Sequence, residues 1–274
     1  SFFNQENFPI PHGFTDQDVN FDAPRLFSEE FCLFYLHQMA IHGLSSYGLS
    51  LPVVTRKDIR NYFVECTTSD MEVYNRTLDI ALDKGLTQRP PYISTPAEID
   101  FVKDKSFMNA WFGERRPLNV IEISDIHFNL KKTLLAKTIL MGFNQVTKTK
   151  EIKNLLSETI DLSNKHIEEF GAKLQMDNLP LPSSYEDHIT NSTISPFSER
   201  LMMFHVGFLF QTALAYYGTG MAVSMRPDIA AQYGKIIIEV FKGAGKWSDL
   251  MIRKGWREQP PQAEDRKALA HSEI

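Results

Sequence analysis

The sequence predicts an all-α protein built on a repeated helical hairpin, and three observations predict it. Short matches recur at one offset of 170 residues, helix start and stop signals fall at equivalent places in both copies, and no alternating strand pattern competes with them. Phe27-Ser28-Glu29 returns as Phe197-Ser198-Glu199, Tyr47-Gly48 as Tyr217-Gly218, and Lys84-Gly85 as Lys254-Gly255. Arg56 and Asp58 return as Arg226 and Asp228, and Pro90-Pro91 as Pro260-Pro261. One insertion away, Asn7 to Pro11 (NFPIP) returns as Asn178 to Pro182 (NLPLP) at an offset of 171.

The elements follow in order. Ser28 and Ser198 are placed to cap the first helix of each hairpin, because a serine hydroxyl can accept from a free first-turn amide. Phe27 and Phe197 before them are placed to staple onto Cys32 and Met202. The second helix of each hairpin opens near Arg56 and Arg226, where Pro227 suits a first helical position and Asp58 and Asp228 suit the helix dipole. Both end at a Lys-Gly-apolar sequence, with Gly85 and Gly255 as left-handed C′ residues and a Pro-Pro stop beyond. Two further helices lie between the copies. Asn119-Val-Ile-Glu122 has the form of a capping box opening a helix to about residue 145. A second apolar stripe runs over residues 150–176 through Ile152, Leu155, Leu156, Phe170 and Leu174. Residues 119–258 therefore hold a complete four-helix set, A to D. Residues 1–85 hold only the C and D equivalents, 86–118 form a Pro-rich connector, and 259–274 a polar tail. Helices equivalent to A and B of the first copy have no counterpart, so about 50–60 residues are expected before Ser1, or a second subunit supplies the cover.

Composition excludes several classes of function. With 274 residues, 43% of them hydrophobic and 23% charged, the chain can bury an ordinary core, and a compact monomer of this mass would expose roughly 12,000 Å². A net charge of −5 offers no basic field for nucleic acid or anionic lipid. Two cysteines exclude a disulfide scaffold. The first residues lack the pattern of a signal peptide. Residues 31–55 and 201–225 contain no Asp, Glu, Lys or Arg and are long enough to cross a bilayer. Their His37, Gln38, His42, Pro52, His205 and Gln211 argue for burial inside protein instead. These two helices are expected to be the most buried, facing the other copy or a second subunit, with Gly43, Gly48, Gly207, Gly218 and Gly220 allowing close approach. Phe34, Tyr47, Phe204, Phe208 and Leu209 are the expected interface residues.

Catalytic chemistry finds little support. A di-iron carboxylate site needs Glu-x-x-His pairs, and no acidic residue stands three positions before any of His12, His37, His42, His127, His166, His188, His205 or His271. His166 with Glu169 reads as a core-edge histidine beside solvated carboxylates. Cys32 and Cys66 align with Met202 and Ile236, so both read as core positions rather than nucleophiles. Glu114-Arg115-Arg116 reads as a solvated turn. No catalytic residue, metal ligand or cofactor is expected. A small apolar or aromatic ligand held between helices is the alternative, with His205, Gln211, Tyr216 and Tyr217 as its polar fixtures.

Several longer motifs point to a family. They are Lys84-Gly85-Leu86 with Arg89 to Pro91, Asp100 to Val102, Trp111 to Pro117 (WFGERRP), and Gly142 to Gln145 (GFNQ). Lys165 to Ile167, Ser192-Thr193, Pro196 to Phe204 (PFSERLMMF) and Gly255 to Pro261 (GWREQPP) continue the series. The chain resembles the domain of unknown function 3231 family of spore-forming bacteria over nearly its whole length. That resemblance implies tandem ferritin-like bundles, distantly like coat protein F, and a cytoplasmic or spore-coat location. It implies no activity, so no catalytic residue is carried over. The expectation is a non-enzymatic structural or interaction protein, a homo-oligomer and most simply a dimer, with spore-coat proteins as partners and no nucleic acid or membrane insertion. The chain departs from the family at its N-terminus, where members carry a further helical hairpin.

Overall fold

The structure, a computed structural model, describes residues 2–109 and 115–271. Residues 110–114, with Trp111 and Glu114 of the motifs above, lie outside the described residues. Eight α-helices carry the described chain: α1 (Phe2–Gln5), α2 (Glu29–Ser50), α3 (Lys57–Asp83), α4 (Val120–Val146), α5 (Lys150–Met176), α6 (Glu199–Val223), α7 (Pro227–Arg253) and α8 (Arg266–His271). Among the described residues the only extended pairing is two isolated bridges, Val19 with Phe197 and Phe27 with Ile189.

The punctuation works largely as the residue types require. Ser28 accepts from the Phe31 amide and Ser198 from the Leu201 amide, while Asn119 and Glu122 close a reciprocal capping box. Gly85 and Gly255 both take φ +66°, the left-handed region where a Cβ would be strained. The staple differs from expectation. Phe27 stacks on Phe31, with ring centroids 4.8 Å apart, rather than on Cys32, which is exposed.

Helices α4 to α7 form one four-helix layer around the core, with α2 and α3 as a hairpin beside it. Glu199 at the start of α6 accepts from the Lys148 and Thr149 amides at the α4–α5 turn. The Arg226 amide before α7 donates to Glu122 in the first turn of α4. These contacts make the connection from α5 to α6 travel the length of the bundle, so α6 runs opposite to α4.

The most buried helix is α4, not α2 or α6. Sixteen of its 27 residues are buried, against seven of 25 in α6 and four of 22 in α2. The cause is position. Helix α4 packs within its own bundle and also meets the first hairpin, where Phe27 lies against Gly142 and Lys131 faces a small pocket shared with His37 and Thr77. Lack of charge marked α2 and α6 as buried, but Leu36 and Leu49 of α2 are 49% and 75% exposed. The chain as a whole exposes 17556 Å², well above the value for a compact monomer of its mass. The glycine expectation also needs correction. A Cβ on Gly207, Gly220 or Gly43 would collide with Trp247, Tyr233 or Asp70, each in the same hairpin, and Gly48 and Gly218 meet nothing within 4 Å.

Candidate functional site

Two straps that precede α2 and α6 cross, and each fixes the cap of the other's helix. The Ser28 amide donates to the His188 carbonyl (2.9 Å) and its hydroxyl meets His188 Nδ1 (2.8 Å). Reciprocally, the Ser198 amide donates to the Asp18 carbonyl (2.8 Å) and its hydroxyl to the Asp18 carboxylate (2.7 Å). Asn20 N donates to Pro196 O and Thr190 N to Leu26 O. Each contact has its partner at the 170-residue offset, as do the two bridges and the short 3₁₀ turns Asp16–Asp18 and Glu186–His188. The Asp18 carboxyl is held down at about 2, first by the hydrogen bond from Arg200 and then by that from Ser198. None of this crossing was expected from the residues. The recurrence of two short acidic segments, Asp16-Gln17-Asp18 and Glu186-Asp187-His188, was the available signal.

Behind the crossing lies a cavity of about 370 Å³. Its walls come in offset pairs: Phe27 with Phe197, Phe31 with Leu201, Cys32 with Met202, and Tyr35 with His205, while Ile139 and Phe143 of α4 close one side. Among the described residues, no charged side chain lines it. His205 packs against Tyr35 (5.5 Å between centroids), Phe208 (6.0 Å) and Phe143 (6.1 Å). Its Nε2 is buried and has no hydrogen-bond partner. Burial pushes its pKa down to about 4, so the imidazole is neutral near pH 7.

The other three expected ligand fixtures do not join His205. Gln211 is exposed. Tyr216 reaches across to α2, its hydroxyl meeting Ser45 Oγ (2.9 Å) and His42 Nδ1 (3.2 Å). Tyr217 is buried in the bundle, where its hydroxyl meets Thr133 (2.9 Å). Lys132 lies between these two tyrosines, with its ammonium 4.3 Å from the Tyr217 ring and 5.7 Å from that of Tyr216, and burial lowers its pKa to about 7. The expected interface residues also divide. Phe208 packs on His42 across the two copies, and Phe34 on Tyr185 and His188. Tyr47 packs on Phe63 of its own hairpin, Leu209 is half-buried beside the core, and Phe204 is 55% exposed against Phe14.

Several charged side chains are arranged in pairs. Glu122, fully buried, accepts two bonds from Arg116 (2.8 and 2.9 Å) and one each from the Asn119 and Arg226 amides (3.0 and 2.9 Å). Burial alone would raise its pKa, and these four bonds hold it below the ordinary value. Arg116 is therefore not the solvated turn residue that its sequence suggests. Asp228 takes a forked bond from Arg226 and another from Lys173, and Asp58 takes the equivalent fork from Arg56. Both aspartates hold the arginine two residues back, a role not anticipated for them. His166 is buried against Glu239, and Glu169 pairs with Lys235. Among the described residues, no three His, Cys, Asp or Glu side chains are grouped to hold a metal ion. No described helix is long and apolar enough to cross a membrane.

These features define an all-helical protein whose two halves meet at crossed straps over an apolar cavity. The chain belongs to the family described as "Protein of unknown function (DUF3231)", which matches residues 1–99 and 106–269. Comparison with curated proteins found no match. Among solved structures it is similar to a candidate spore coat protein from Bacillus halodurans C-125, at 20% identity and a TM-score of 0.50. That likeness covers 55% of this chain and 98% of the other, and shows a shared fold.

Proposed function

We propose that this chain is a non-enzymatic structural or interaction protein made of tandem ferritin-like bundles and associated with the spore or its coat. The carrying observation is the reciprocal crossing of the straps, which ties equivalent positions of two copies into one body. The single long crossover between α5 and α6 fits the ferritin-like pattern. The pairing of Glu122, Asp228 and Glu239 with basic groups supports a structural use of the buried charges. Family membership and the fold shared with a candidate spore coat protein support the location. A homodimer is part of the proposal. Leu36, Leu49, Val53, Tyr62, Val64 and Met71 leave an apolar surface along the first hairpin.

Fractionation of a sporulating culture of the source organism tests this reading. The protein is expected in the detergent-alkali extract of purified spores, and at a markedly higher level in sporulating than in growing cells. Equal amounts in growing cells, with none in spores, would overturn it.

A further inference from the structure

We propose that the cavity between α2 and α6 is a binding site for a small, uncharged, mainly aromatic molecule with one hydrogen-bonding group, read by the imidazole of His205. This goes beyond the structural role and does not depend on it. Protein interiors are close-packed, and the voids they retain are few and small. A cavity of about 370 Å³ falls within the range of small-molecule sites, about 300–1,000 Å³. It has more than twice the volume of an engineered apolar cavity of about 150 Å³ that accepts benzene. The space suits two fused rings.

The walls define the chemistry of the occupant. Phe27, Phe31, Phe143 and Phe197 offer ring faces and edges to an aromatic body. With no charged side chain on the wall among the described residues, an ionic ligand would lose its hydration without compensation. His205 supplies the one specific feature. Buried polar atoms nearly always have partners, and its Nε2 has none among the described residues. The neutral ring, which lines the cavity, can offer a donor or an acceptor according to its tautomer. Three flanking aromatic rings hold it in place, so the site is preformed. Cys32 is both a wall residue and exposed, which places it at the mouth.

The test uses the full chain with 2-naphthol and naphthalene as matched probes, titrated by fluorescence. Saturable one-to-one binding is expected, with 2-naphthol about tenfold tighter than naphthalene through one hydrogen bond. His205→Phe should retain naphthalene and lose the tenfold preference. Leu201→Trp, which fills the space, should lose both probes. A second measurement does not require a cavity variant to fold. In a Cys66→Ser background, saturating 2-naphthol should slow thiol labelling of Cys32 at least fivefold. Absence of saturable binding, leaving water as the only occupant, would overturn the proposal. So would a 2-naphthol preference that survives in folded His205→Phe, or labelling of Cys32 at an unchanged rate.

Discussion

Replacing Glu122 by alanine isolates one fully buried electrostatic contact. Its carboxylate is fully buried and accepts four hydrogen bonds, two from the Arg116 guanidinium and two from main-chain amides. Removal strands a guanidinium whose side chain is only 13% exposed. Breaking a buried pair from one side costs about 3–5 kcal/mol, since the remaining charge keeps its desolvation penalty. The Asn119 and Arg226 amides also lose their acceptor, at roughly 1–3 kcal/mol each where no water replaces it. The terms overlap, so a total of about 4–6 kcal/mol is expected, a large part of a domain's usual margin of about 5–15 kcal/mol. Urea denaturation followed by circular dichroism measures it. The double variant Glu122→Met with Arg116→Met should recover more than half of the loss, because an apolar pair leaves no unpaired charge. A Glu122→Ala loss below about 1 kcal/mol would refute the reasoning, as would a double variant no more stable than the single one.

Two further outcomes rest on the interface and on α6. His42 and His205 are neutral in the fold, with pKa values lowered by burial to about 3 and about 4, while an unfolded histidine protonates near 6.5. The unfolded chain therefore binds more protons below pH 6.5. Their contribution to stability is complete above that value and is lost as pH falls towards about 4 for His205 and about 3 for His42. The unfolding free energy from urea titrations should fall between pH 6.5 and 5, by up to about 1.4 kcal/mol per pH unit per histidine, and His205→Phe should remove its share. On α6, Gly207→Ala should cost about 1–3 kcal/mol, because the new methyl meets the Trp247 ring, whose Nε1 donates to Met203 O at 2.7 Å. Gly218→Ala on the same helix meets no atom within 4 Å and should raise stability by about 0.5–1 kcal/mol. Thermal melts of the two variants check the opposite signs.

Much of the helical framework was legible because its signals are local. Caps at Ser28, Ser198 and Asn119, and left-handed glycines at 85 and 255, depend on residues within one turn. Burial was less legible because it depends on what a helix meets. The charge-bearing α4 lies between two hairpins and buries Lys132 and Glu122, whereas the uncharged run of α2 after Glu30 leaves Leu49 in solvent. The site was partly legible. His205 was singled out as a polar residue in an apolar run, and it does line the cavity. Tyr216 and Tyr217 were adjacent in the same run, but helical geometry sends them to different neighbours, one to α2 and the other into the bundle. Cys32 was read as a core residue from its alignment with Met202. The two copies differ in what covers that position, so Met202 is buried and Cys32 is exposed.

Everything proposed for the cavity and for the joined copies requires the straps to cross within one chain. Antiparallel bridge partners have Cα atoms about 4.5–5.5 Å apart, which lies within disulfide range. In a Cys32→Ser, Cys66→Ser background, cysteine pairs at Val19 with Phe197, and separately at Phe27 with Ile189, report each bridge directly. Mild oxidation followed by non-reducing electrophoresis and peptide mass mapping should show both pairs linked within a monomer in high yield. A mismatched pair, Val19→Cys with Ile189→Cys, should remain reduced. Failure of both matched pairs to close, or their linkage only between chains, would contradict the crossed-strap arrangement.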